Sequence, residues 1–334
     1  MTPTPTEQVR SPQLLRRLLA VVFGLALVGG LTTACSSDDS DDNSASSSAT
    51  DDSYYPHTMK TPHGDVTIKK KPERILALNV AVADHLITLG ITPAKVGTDP
   101  KSLDNTPWIK DNIKKISEGG LYSSGEFNVE KIANFDPDLI VGMPYQFQNE
   151  ENFKKLNTIA PTVFQNSLDT TAEWKASFLA TAESVNKVDT ANDIIKRNEE
   201  AFREVGSRVD GISSMTYTFG GPNSEGTGFG YGDGRIFEMF GMKPSDNQDN
   251  ANQTKVPLEN IAQLDSDLLV IYSTTSEQLS KIESNPGYKS LSSVKNGNVI
   301  VVGTPEAMVI NTTSPGGLSW ILEKLAPSIE ALGR

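Results

Sequence analysis

Cysteine is almost absent: Cys35 is the single thiol in 334 residues. No disulfide can close within the chain, so a fold stapled by disulfides is excluded and the lone thiol needs another explanation. Histidine is nearly as scarce. His57, His63 and His85 are the whole complement, and none lies in the second half. A metal centre drawing histidines from both halves is thereby excluded, which argues against direct manganese or zinc binding. His57 and His63 show no metal-ligand spacing, and His85 reads as a residue on the polar face of a helix. Haem ligation is weakened for the same reason, though a tyrosine axial ligand stays open. Basic residues are in deficit, 30 Lys and Arg against 42 Asp and Glu, for a formal net charge of −12. Arg10, Arg16, Arg17 and Glu7 all precede Cys35, so the chain from Cys35 onward stands at about −14. Phosphate binding needs clustered Lys and Arg, so nucleic acid is not a partner. A few local cations could still serve an anionic ligand in a pocket. Signatures of hydrolytic and nucleotide chemistry are missing too: there is no G-x-S-x-G, no H-E-x-x-H and no phosphate loop.

What the sequence does have begins with an address. Arg10, Arg16 and Arg17 form a basic segment ahead of an uncharged, mostly apolar run at residues 18–30. That run is short of the roughly 20 residues a spanning helix needs. It ends in Leu31-Thr32-Thr33-Ala34-Cys35, which reads as the close of a signal peptide at 1–34. The small residues before Cys35 resemble the lipobox of bacterial lipoproteins. That resemblance implies an acylated (palmitate-bearing) cysteine at the new N-terminus, and a protein held by lipid at the outer face of the cytoplasmic membrane. Thr32 stands where the lipobox usually has leucine; a plain secretory signal with an incidental cysteine is the alternative. Arg16-Arg17 leaves the twin-arginine route open beside general export. Residues 36–53 carry six Asp and no Lys or Arg among Ser, Ala, Asn and Thr. Such a segment buries too little apolar surface to offset its ordering entropy, so 35–54 reads as a lipidated tether.

Beyond the tether, short apolar runs alternate with amphipathic stretches. Strands are expected at 75–78, 139–141, 162–164, 215–219, 268–272 and 299–302. Helices are expected at 83–89, closed by Gly90, and at 130–135, 151–159, 236–240, 258–262, 277–283 and 317–325. This β-α-β order predicts mainly parallel sheets covered on both faces. Residues 172–209 differ: long, polar on one side, without a strand signal, and broken only near 186–189. Ala191, Ile194, Ile195, Ala201, Phe202 and Val205 keep close to helical spacing. The chain is too long for one small core. An internal echo supports two related halves: residues 129–141 and 258–270 each pair an acid at a helix start with a turn holding two Asp and then an apolar run. An acid suits a helix start on dipole grounds alone.

The sequence Lys71-Pro72-Glu73-Arg74-Ile75, the stretch Ala83-Asp84-His85-Leu86-Ile87-Thr88-Leu89-Gly90-Ile91-Thr92-Pro93, and Glu130-Lys131-Ile132 with Asp136-Pro137-Asp138-Leu139-Ile140 resemble the iron-siderophore and cobalamin class of ABC-transporter substrate-binding proteins. The resemblance runs from about residue 55 to the C-terminus; its sharper motifs are in the first half. It implies two three-layer α/β lobes with mainly parallel sheets, at 55–188 and 211–334, joined by one long helix at 189–210. It also implies a ligand held between the lobes, modest closure, a monomer, and no catalysis. Glu130 and Glu259 match the positions at which the family docks on arginines of the permease dimer, whose cytoplasmic ATPase drives import. The cargo implied is a ferric siderophore, with no resident cofactor; haem and cobalamin are the alternatives within the class. An exported α/β hydrolase and a lipid-anchored adhesin are the readings outside it.

Ligands of parallel α/β lobes sit beyond the carboxyl ends of the strands. That selects loops holding Asn79, Tyr122, Tyr145, Phe147, Phe229, Tyr231 and Arg235. Aromatic rings suit a bulky, flat, partly apolar chelate, although each of these rings could equally serve lobe packing. A guanidinium at Arg235 could meet chelate oxygens, or pair with Asp233. The glycine-rich residues 220–234 read as a mobile or ligand-wrapping loop, since they hold no G-x-G-x-x-G. Residues 54–65 read as an edge strand.

Overall fold

Residues 53–169, 174–223, 227–251 and 254–332 are described by the computed structural model. The signal segment, Cys35 and nearly all of the tether lie outside them. Two separate α/β lobes emerge. In the first, four parallel strands run in the order Lys95–Val96, Ile75–Ala77, Leu139–Val141, Thr162–Val163. Ile75–Ala77 and Leu139–Val141 are buried at every position, as strands covered on both faces must be. The helix Val80–Thr88 starts three residues earlier than its apolar pattern suggests. Asn79 supplies the reason: its side chain accepts the Val82 N–H at 3.0 Å and caps the first turn. Gly90 closes the helix at φ 81°, the left-handed conformation glycine tolerates.

Residues 54–65 do not add an edge to this sheet. They form an antiparallel hairpin of their own, His57–Thr61 against Gly64–Ile68, whose alternate residues Met59, Thr61, Val66 and Ile68 are buried. His85 departs from expectation as well. It is buried beside Phe178, with Nδ1 3.2 Å from the Thr181 hydroxyl. Burial holds its imidazole down to about pKa 3, so it is neutral at physiological pH.

The second lobe has a six-stranded sheet. Its parallel centre is Thr216–Pro222, Leu268–Tyr272 and Val299–Val302, with Lys243–Pro244 parallel to the start of Thr216–Pro222. The glycine-rich segment is not all loop, and its residues 224–226 lie outside the described ones. It folds back as the strand Gly228–Tyr231, antiparallel to Thr216–Pro222, and Lys255–Pro257 adds beyond it. Glycine is required at Gly220, where a Cβ would lie 2.2 Å from the Gly230 carbonyl oxygen.

The echo in the sequence has one structural job performed twice. Asp138 accepts the backbone N–H groups of Glu73 and Arg74 at 2.9 and 2.8 Å, pinning the start of Ile75–Ala77. Asp267 accepts the N–H and hydroxyl of Thr216 at 2.7 and 3.0 Å, pinning the start of Thr216–Pro222.

The helices Trp174–Ser184 and Val188–Gly206 meet at a turn where Asn186 takes φ 55°, which is the break legible in the sequence. Val188–Gly206 has 19 residues and so runs about 28 Å at 1.5 Å per residue. Its buried stripe serves both lobes. Ala191, Ile194 and Ile195 pack into the first core, while Phe202 and Val205 pack into the second. Each buried large apolar side chain stabilises by about 1.5–3 kcal/mol, so the one helix is anchored at both ends. At its last residue, Gly206 lets the Phe240 carbonyl approach to where a Cβ would be 1.9 Å away.

The lobes also touch directly. The Asp84 carboxylate, buried in the first lobe, accepts the Gly316 N–H at 2.8 Å, at the start of the helix Pro315–Ile329 in the second. Burial raises the Asp84 pKa, opposed by hydrogen bonds from Ser314, Gly316 and Gly317. Beside it, the Trp108 and Trp320 rings lie 5.5 Å apart.

Candidate functional site

A cavity of about 650 Å³ opens between the lobes. The first lobe contributes Met143, Pro144 and Tyr145, beyond the carboxyl end of Leu139–Val141. The second contributes the segment around Asp233, Arg235 and Met239, and residues 311–313. The helix Val188–Gly206 supplies Glu199 and Arg203, one helical turn apart, and the helix before it supplies Trp174 and Lys175. The cavity is thus walled by both lobes and by the two linking helices.

The first-lobe loop is held by amides. Asn79 Nδ2 donates to Gln146 Oε1 at 2.8 Å, and that oxygen also accepts the Met143 N–H at 3.0 Å. Gln146 Nε2 donates back to the Leu78 carbonyl at 3.3 Å. Asn79 therefore ties the loop to the helix cap. Tyr145 projects from the loop and is 47% exposed, so its ring is available to a bound molecule. Tyr122 stands behind it at 6.3 Å, edge to face, on a hairpin whose turn places Ser124 and Gly125 at positive φ.

The other aromatic candidates are placed elsewhere. Phe147 is fully buried in the first core against Phe127, Phe153 and Phe164. Phe229 is buried in the second lobe against Tyr231, whose hydroxyl donates to the Gln263 carbonyl at 3.3 Å. Both sit on inward faces of their elements, a side that apolar content alone does not reveal. Tyr231 instead borders a separate cavity of about 230 Å³ with Phe219, Tyr272 and Asn311. Of the seven ligand candidates, only Tyr145 and Arg235 line the large cavity.

The charges on the cavity wall are mostly matched. Arg235 Nε donates to Asp233 at 2.9 Å, and its Nη2 also reaches that carboxylate, giving a two-point fork. Lys175 pairs with Glu199 at 2.7 Å. Glu238 accepts the Tyr217 hydroxyl at 3.0 Å, and burial pushes that phenol far above the ordinary tyrosine range. Arg203 is exposed, and its side chain makes no hydrogen bond or ion pair among the described residues. Trp174, Lys175, Glu199 and Arg203 escaped the sequence reading because they lie on helices, where strand-end logic does not look. The one signal for them was the polar face of the long helix.

Glu130 and Glu259 do not line this cavity. Each is exposed in the first turn of a short helix, Val129–Ala133 or Leu258–Leu264, and neither side chain has a partner among the described residues.

Two lobes, a bracing helix and a cavity walled by both lobes define a two-lobed solute-binding protein. Residues 75–305 match the family described as periplasmic binding protein, and the chain belongs to that family. It is 30% identical over 247 residues to the Fe(3+)-citrate-binding protein YfmC of Bacillus subtilis (strain 168), covering 71% of this chain and 75% of that one. It is also 30% identical over 256 residues to the "Probable siderophore-binding lipoprotein YfiY" of the same organism, covering 69% and 75%. The fold is similar to that of the periplasmic solute binding protein from Mycobacterium smegmatis str. MC2 155, with a TM-score of 0.69 and 22% identity, covering 82% of this chain and 98% of that one.

Proposed function

We propose that this protein captures a ferric siderophore outside the cytoplasmic membrane and delivers it to an ABC importer for iron uptake. The observation that carries the reading is the cavity of about 650 Å³ between two braced lobes, within the range of small-molecule sites. Tyr145 and Trp174 offer aromatic surface to it. Relatives named for ferric citrate and for a siderophore support the cargo. The role is binding and delivery rather than turnover.

The remaining parts of the reading follow the sequence. Residues 1–34 direct export, Cys35 is acylated, and 35–54 tether a monomer to the membrane. Glu130 and Glu259, on separate lobes, meet cationic sites on a two-fold permease, where paired charges orient the encounter. A direct test is quenching of intrinsic fluorescence by ferric siderophores, haem and cobalamin in parallel, since Trp174 lines the cavity. Saturable submicromolar quenching by a ferric siderophore is expected. A Soret shift with haem, or saturation by cobalamin alone, would replace the cargo.

A further inference from the structure

We infer that the cargo is an electrically neutral ferric chelate of the tris-hydroxamate type, recognised by the guanidinium of Arg203 on the bracing helix. This rests on the siderophore reading and names the chemical class within it.

Among the described residues the cavity wall carries three cations, Lys175, Arg203 and Arg235, and three carboxylates, Glu199, Asp233 and Glu238. The formal charge of these six sums to zero. Two of the cations are already engaged, Lys175 by Glu199 and Arg235 by the fork from Asp233. These pairs are half-buried, with side chains 34%/33% and 34%/21% exposed, so breaking one leaves a poorly solvated charge behind. Glu238 adds a negative charge that no cation balances directly.

Ferric chelates differ in charge by simple stoichiometry. Three hydroxamate monoanions cancel Fe³⁺ and leave a neutral complex. Three catecholate dianions leave a charge of −3, and citrate complexes are also anionic. A trianion would meet one unpaired guanidinium, Arg203, one unpaired carboxylate, Glu238, and two pairs that are already neutralised. The net charge of about −14 from Cys35 onward would also oppose its approach. A neutral chelate requires none of the pairs to open. Its iron-bound oxygens keep partial negative charge, and one guanidinium with free donors is a fitting partner for them. Its methylene linkers suit the Tyr145 ring and the side chains of Trp174 and Met239.

The test is a fluorescence titration of the full chain with three probes: ferrioxamine E (a neutral tris-hydroxamate), ferric enterobactin (a tris-catecholate trianion) and ferric citrate. Ferrioxamine E should bind at least about tenfold more tightly than either anion. Arg203→Gln should lose about tenfold in that affinity, as expected for a hydrogen bond to a charged donor, with Arg203→Lys recovering part. Arg203 is exposed, so the variant should keep the wild-type unfolding midpoint. Glu199→Gln combined with Asp233→Asn raises the wall charge by two and should shift preference toward the trianion by about tenfold or more. An anionic chelate binding as tightly as ferrioxamine E, or an Arg203→Gln variant of unchanged affinity, overturns the inference while leaving the siderophore reading intact. Binding of haem or cobalamin with none of the three iron chelates overturns both.

Discussion

Replacing Gly316 by alanine would put a methyl carbon 2.3 Å from Oδ1 of Asp84 and 3.1 Å from its Cγ. Gly316 opens the helix Pro315–Ile329 in the second lobe, whereas Asp84 sits on Val80–Thr88 in the first. Asp84 is 3% exposed, so its carboxylate has no open space to retreat into. Overpacking of this kind costs about 1–3 kcal/mol. Displacing the carboxylate also endangers its hydrogen bond from the Gly316 N–H, with about 1.5–3 kcal/mol at stake for a charged acceptor. Allowing for partial relaxation, the expected loss is about 2–4 kcal/mol, or roughly 3–7 °C in unfolding midpoint for a chain of this size. Thermal unfolding followed by circular dichroism measures it. The decisive comparison is the same substitution in an Asp84→Ala background. There the clash is gone, and alanine in a helix is better than glycine by about 0.5–1 kcal/mol. Gly316→Ala should then be neutral or stabilising, a non-additivity of about 2–4 kcal/mol. Equal effects in the two backgrounds would refute the contact between the lobes.

Trp174→Ala and Tyr145→Ala should each weaken chelate binding by about tenfold, in line with the loss of an aromatic contact, as read by competition or calorimetry; unchanged affinity for both would remove the cavity as the site. Glu130→Ala together with Glu259→Ala should abolish iron uptake by cells while leaving chelate affinity within about twofold, and lost affinity would place those acids in the fold or the cleft instead. His85 is neutral in the folded chain, with a pKa of about 3 against an ordinary 6.5. Its unfolded form therefore binds the extra proton between those values, and stability that is complete above about pH 6.5 drains away as pH falls, by about 1.4 kcal/mol per unit. Asp84, whose pKa is raised, titrates in the opposite sense, but it is common to both proteins when His85→Leu is compared with the parent. Denaturant unfolding between pH 6 and 4 should show a shallower acid loss in the variant; parallel slopes would mean the histidine is not buried in solution.

Most of the architecture was legible because it is written in local periodicity. The apolar run around Ile75, the Gly90 stop and the stripe from Ala191 to Val205 each follow from the spacing of a few neighbouring residues, and the structure keeps them. The repeated Asp turns were visible for the same reason, although their shared task, with Asp138 and Asp267 each pinning a strand start, needed the fold. Two misreadings have one cause. Residues 220–234 look like a loop because glycine carries no side-chain pattern, yet backbone pairing puts 220–222 and 228–231 into two strands. His85 looks polar, yet its helix face is covered by Phe178 from a distant segment.

The sequence by itself determined the alternation of strands and helices, the long bracing helix and the acidic charge of the chain, since each depends on residues close together in sequence or on composition alone. Only the tertiary structure decided which aromatic rings face the cavity, that Lys175 is engaged by Glu199, and that Glu199 and Arg203 of the bracing helix join the wall. Side-chain direction and such pairing depend on what packs from distant segments, and neighbours remote along the chain leave no local trace.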